Sequence, residues 1–195
     1  MFTFKDPTGA AHAAVIAVSC YALFDLVLAL AAFFLPPDNT QAGLVAIADF
    51  LALAASLILV GRWIYRTNAN AHSFSDDISI TPGWAVGWFF VPVANLVKPY
   101  QGVKETWVAS HQASAQYEQV ESPLLALWWG LWIATNVAST ISTRIASRSE
   151  EPIPFLLSFD ILVSIVNVAL CIILIQLMQR LSRAQVTASH GNIFT

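Results

Sequence analysis

Four stretches of this chain are long and apolar enough to cross a lipid bilayer, and that constrains its fold more than any other feature. A hydrocarbon core about 30 Å thick takes roughly 20 consecutive apolar residues of helix. Residues 11–35, 42–65, 123–143 and 154–179 each meet that length. The first is expected to stop at Pro36-Pro37-Asp38-Asn39, while Pro123 and Pro154 stand at helix starts, where a missing N–H costs little. Of the 195 residues, 57% are hydrophobic and 11% charged. A soluble domain carries about 25% charged residues, so an ordinary water-soluble globule is excluded. With 9 basic and 12 acidic residues the formal charge is −3, which gives no basis for a nucleic-acid partner. The N-terminal segment has one Lys and no short apolar run before a cleavage site, so the first stretch is expected to remain as an anchor.

A fifth segment, residues 83–98, is apolar and aromatic but only about fifteen residues long, and Gly87 and Pro92 interrupt it. A run that short is expected to be re-entrant or interfacial. Charge bias supports four spans. With the N-terminus inside, Lys5, Arg62, Arg66, Lys98, Lys104, Arg180 and Arg183 fall on one side, and Arg144 and Arg148 on the other. That is seven against two, and a fifth crossing would make it five against four. Both termini are therefore expected in the cytoplasm. In residues 99–113, Tyr100, Val103 and Trp107 share one helical face, which predicts a short amphipathic helix lying in the inner headgroup layer. A helix packed on other cytoplasmic parts of the same chain is the competing reading.

Three acids, Asp25, Asp49 and Asp160, fall inside predicted spans. Placing a charge at the bilayer centre costs at least about 2.5–3.5 kcal/mol, so such groups face the bundle interior or a wet cavity. Asn136 lies at a comparable depth on the third span. On the fourth, Asp160, Ser164, Asn167 and Cys171 form one polar stripe, and Tyr21 lies one turn from Asp25. No Lys or Arg lies deep within a span, so some of these acids are expected to be neutral at pH 7. Two readings remain open for Asp25, Asp49, Asn136, Asp160, Ser164 and Asn167. One is a pocket that handles protons or cations. The other is a hydrogen-bonded network that fixes helix packing.

The second span exits through Arg62, Trp63, Tyr65 and Arg66. Paired basic groups with aromatic neighbours read as a positive-inside anchor, or as a site for an anionic lipid headgroup. Trp84, Trp88, Asn95, Lys98, Glu105 and Trp107 are candidate contributors to the same interface, with Glu105 also able to pair with Arg62 or Arg66. The run Arg62, Trp63, Tyr65, Arg66, Asn68, Asn70, followed by the Pro82–Tyr100 stretch and then Glu105 and Trp107, resembles the bacterial membrane family catalogued as domain of unknown function 4328. Trp128, Trp129, Trp132 and Asn136 are similar to its Trp-rich third span. The resemblance implies a bacterial multi-span protein and carries no assigned catalytic residues.

No HExxH, GxSxG or phosphate-binding Gly-rich loop is present, and the four His and two Cys are scattered. The chain is expected to be no enzyme and to hold no cofactor or metal. The expected fold is all-α: a single integral membrane domain over residues 1–195, with four transmembrane helices, a cytoplasmic re-entrant or interfacial aromatic segment and an amphipathic surface helix. The expected location is the bacterial inner membrane. The expected function is that of an accessory, assembly or lipid-binding subunit, with membrane lipids and other subunits of a membrane complex as partners. The alternative is a small transporter or channel-like protein for protons or cations.

Overall fold

A computed structural model describes residues 2–34, 39–148 and 154–191. The expected stop at Pro36-Pro37-Asp38 and the end of the first span at Leu35 lie outside the described residues. The described chain is helical: α1 (Thr8–Phe34), α2 (Asn39–Ala71), α3 (Pro82–Gly87), α4 (Lys98–Ala113), α5 (Pro123–Ala146) and α6 (Pro154–Gly191). Asp6 caps α1, its carboxylate accepting the Thr8 backbone N–H at 2.8 Å and the Thr8 hydroxyl at 2.5 Å. Pro82, Pro99 and Pro123 sit in the first turns of α3, α4 and α5.

Four of these helices, α1, α2, α5 and α6, are long and apolar enough to span a membrane. This is the build of a multi-pass membrane protein. The helices α2 and α6 run past their expected ends at Tyr65 and Gln179, to Ala71 and Gly191. Hydropathy marks where a helix leaves the apolar layer and not where it stops turning. Residues 66–71 and 180–190 contain no Pro or Gly to end either helix.

The helix α1 is central, packing on α2 along one side and α6 along the other, and α6 also packs on α5. Ala11, Ala14, Val18 and Ala22 form the buried face of α1. Small residues at that spacing let helix backbones approach closely, which drives association where lipid is as apolar as the side chains. Large apolar residues point outward instead, among them Ile16, Leu23, Phe50, Ile58 and Ile172. A soluble protein would not spread so much apolar surface over its outside.

At one end, the extensions of α2 and α6 meet α4 in a cap. The helix α4 is amphipathic, as expected, with Lys98, Gln101 and Lys104 exposed. Its other face, however, is taken by α2 and α6 of the same chain and not left to a lipid surface. Val103, Thr106, Trp107, Ser110 and His111 are all buried there. Trp63 and Trp107, expected at the membrane interface, are likewise core residues, 2% and 1% exposed. The Trp63 indole N–H donates to Ser182 Oγ at 3.1 Å.

The cap is held by buried polar groups that satisfy one another. Gln185 Nε2 donates to the Thr67 carbonyl at 2.8 Å and to Ser110 Oγ at 2.9 Å. Its Oε1 accepts from Asn70 Nδ2 at 2.9 Å. Asn70 also brackets the N-terminal segment, donating to the Lys5 carbonyl and accepting the Lys5 N–H. Asn68 Nδ2 donates to Thr106 Oγ1 at 3.0 Å. A net gain of about 1 kcal/mol per hydrogen bond is modest, but leaving such a group buried and unpaired costs about 1–3 kcal/mol.

His111 stacks on Trp107 at 4.1 Å between ring centroids, and its Nδ1–H donates to the Trp107 carbonyl at 2.9 Å. Burial lowers its pKa from 6.5, the Trp107 carbonyl opposes this, and the charge of Arg180 lowers it further. The neutral imidazole is therefore the folded form.

Two outcomes follow from the cap. Gln185→Ala removes the hydrogen bonds to Thr67, Ser110 and Asn70 at once and should destabilise the protein by about 2–4 kcal/mol, read as a lower unfolding temperature in detergent. Below pH 6.5 the unfolded chain binds a proton at His111 that the folded chain resists, so stability should fall as pH drops through that value. His111→Gln should flatten that part of the stability profile.

Candidate functional site

Because α2 does not pack against α5, a groove opens between them, with α1 and α6 as its back wall. Its volume is about 500 Å³. Each wall presents one helical face. Val18, Tyr21 and Asp25 come from α1, and Asp49, Leu53, Ser56, Val60 and Ile64 from α2. The α5 face supplies Trp128, Trp132, Thr135, Asn136 and Ser139, and the α6 face Val163, Asn167, Leu170, Cys171 and Leu174. Leu57, Asn136 and Ser139 line the groove and are exposed, so it is open along its side.

The aromatic segment closes one end. It is not one helix but a series of short turns: α3, then 3-10 turns at Trp88–Phe90 and Ala94–Leu96. No piece of it approaches the length of a span, in keeping with four crossings. Pro92 breaks the run, and Val93 follows with φ 66°, a costly conformation for a β-branched residue. Packing holds it there. The Trp129 indole N–H donates to the Leu96 carbonyl at 2.9 Å. Phe89 stands edge-on to Trp129 and Trp132, with centroids 6.2 and 6.0 Å away. On the α2 side, a Cβ added at Gly61 would lie 3.4 Å from Val86 Cγ1, so the glycine lets α3 sit close. Val86, Phe89 and Phe90 thereby become part of the groove wall. Nothing local in the sequence signals that fold-back.

Of the six expected pocket residues, Asp25, Asp49, Asn136 and Asn167 line the groove, and Asp160 and Ser164 do not. Asn167 Nδ2 donates to Asp25 Oδ2 at 3.2 Å, and Asn167 also meets Tyr21, so Tyr21 reaches the amide and not the acid one turn away. Asp49 Oδ1 is buried without a hydrogen-bond partner. Asp160 instead accepts the Ser142 hydroxyl at 2.6 Å, at the α5–α6 contact. Asp160 lies seven residues, about 10 Å of helix, from Asn167, and at that level α5 presents Ser142 and not open space.

The expected interfacial set divides as well. Arg62, Tyr65, Trp84 and Lys98 are exposed, Arg66 and Asn95 half-buried, and Trp88 stacks on Trp84 at 4.5 Å. Glu105 does not pair with Arg62 or Arg66. Its carboxylate accepts the Ser79 hydroxyl at 2.6 Å and the backbone N–H groups of Ser79 and Ile80 at 3.0 and 3.1 Å, pinning the α2–α3 connection to α4. Ser182, Gln185, Thr106 and Ser110 escaped the sequence reading. The signal for Ser182 and Gln185 was the breaker-free polar run that continues α6, whereas Thr106 and Ser110 lie on the inward face of α4.

A family model described as Domain of unknown function (DUF4328) matches residues 38–183. The chain belongs to the DUF4328 family. No curated protein and no solved structure matches it. The DUF4328 match takes in the α2, α5 and α6 walls and the aromatic segment, with Asp49, Asn136 and Asn167, while Tyr21 and Asp25 on α1 lie outside it.

Trp129→Phe keeps the ring and removes the bond to Leu96. It should cost about 1 kcal/mol and raise hydrogen exchange across residues 88–97, leaving the cap unchanged.

Proposed function

We propose that this protein is a non-enzymatic, lipid-binding membrane protein that holds a membrane-borne amphiphile in the groove between α2 and α5. The observation that carries the reading is the shape and chemistry of that groove. It is open along its side, its walls are mainly apolar, and a polar strip of Asp25, Asp49, Asn136 and Asn167 runs within it. An apolar cleft with a few convergent polar groups is the usual form of a small-molecule site.

In this reading the basic end, with Arg62, Arg66, Lys98, Arg180 and Arg183, faces the cytoplasm, and the protein sits in the bacterial inner membrane with both termini inside. The aromatic segment is then re-entrant at the inner surface. Its exposed Trp84, Phe90, Val93 and Leu96 support that placement, because apolar side chains this exposed are at ease in lipid.

Native mass spectrometry after mild detergent extraction tests the proposal. The wild type should carry a small amphiphile as an adduct, and Ser139→Trp, which fills the groove, should lose it. Ile58→Trp, on an outward position, should retain it. An adduct that survives Ser139→Trp would show that the groove is not the binding site.

A further inference from the structure

Resting on that groove reading, we infer that its occupant is a lipophilic organic cation, an apolar body carrying one positive charge that sits between Asp25 and Asp49.

The sign of the charge comes from the lining. Asp25 and Asp49 share the groove and feel each other electrostatically, and among the described residues no Lys, Arg or His lines it. Asn167 answers Asp25 with an amide N–H, but Asp49 Oδ1 has no donor although it is buried. A buried carboxylate oxygen without a partner is costly, and a cation or cationic N–H donor placed against it removes that cost. An anionic amphiphile would meet two acids with nothing to neutralise it.

The size and walls of the groove then select an organic cation over a metal ion. A space of about 500 Å³ lined mainly by apolar groups suits a molecule with a hydrocarbon body. Among the described residues no cluster of three or more His, Cys, Asp or Glu gathers to hold a metal. Hard cations want six or more oxygen ligands. Trp128, Trp132 and Phe89 add aromatic surface to the same lining, and ring faces attract organic cations. Sideways opening lets a ligand already dissolved in the membrane enter without crossing water.

The test compares two ions of the same shape and opposite charge, tetraphenylphosphonium and tetraphenylborate, by calorimetric titration of the detergent-solubilised full chain, with empty micelles subtracted. Tetraphenylphosphonium should bind saturably and tetraphenylborate should not. Asp25→Asn and Asp49→Asn should each weaken phosphonium binding by about tenfold or more. Asp160→Asn, on the Ser142 contact outside the groove, should leave it unchanged. If the Asn variants do not fold, the comparison of the two ions on the wild type decides by itself. Equal binding of both ions, or Asn variants that bind as the wild type does, overturns the cation assignment. If Ser139→Trp still blocks that binding, the groove remains the site and only its charge selectivity falls. Binding of neither ion also overturns the cation assignment, and the adduct measurement on Ser139→Trp then reports on the groove separately.

Discussion

A buried side-chain amide has donors and an acceptor to satisfy at fixed angles, and Gln185 meets that demand by drawing on three separate places. It reaches the Thr67 carbonyl and Asn70 on α2 and the Ser110 hydroxyl on α4, while Asn70 passes the connection on to the Lys5 backbone. Apolar packing could have slid to another register. A set of directed bonds inside a dry core cannot, because any shift leaves several groups stranded together. Among the described residues, the hydrogen bonds that join α2 to α6, including Trp63 to Ser182, lie at this end of the bundle. The arrangement of the long helices therefore starts from the cap.

What the cap does not hold is the far side of α2. Along the membrane-spanning length α2 leans on α1, and α5 leans on α6, so the four long helices form an open crescent. The aromatic segment bridges the gap at one level, with Val86 against Gly61 on α2 and Phe89 against Trp129 and Trp132 on α5. Glu105 anchors the connection that leads into that segment. The strained backbone at Val93 is sustained by these contacts on both sides.

The four long helices could be read directly from hydropathy, because a bilayer imposes a length that few other environments require. The extensions of α2 and α6 could not, since the same scale turns polar where the helix merely leaves the apolar layer. Trp63 and Trp107 show a second limit. A tryptophan beside a membrane surface has the same local sequence whether it meets headgroups or another helix; here Trp63 meets Ser182 of α6, and Trp107 is buried on the face that α4 turns to α2 and α6. Periodicity placed Asp25, Asp49, Asn136 and Asn167 on inward faces, where the groove is. It placed Asp160 on the right face too, but the partner at that level depends on how α5 rises beside α6, and no single helix encodes that.

The fixed end and the free side together make α2 a lever. Its pivot is the hydrogen-bonded cluster around Thr67, and Asp49 stands 18 residues away, about 27 Å along the axis. A tilt of about 5° at the pivot would carry Asp49 sideways by about 2 Å, a large fraction of a hydrogen-bond length. The width of the groove is thus geared to small rearrangements among Thr67, Ser110 and Gln185, on the polar side of the molecule and far from the acids themselves.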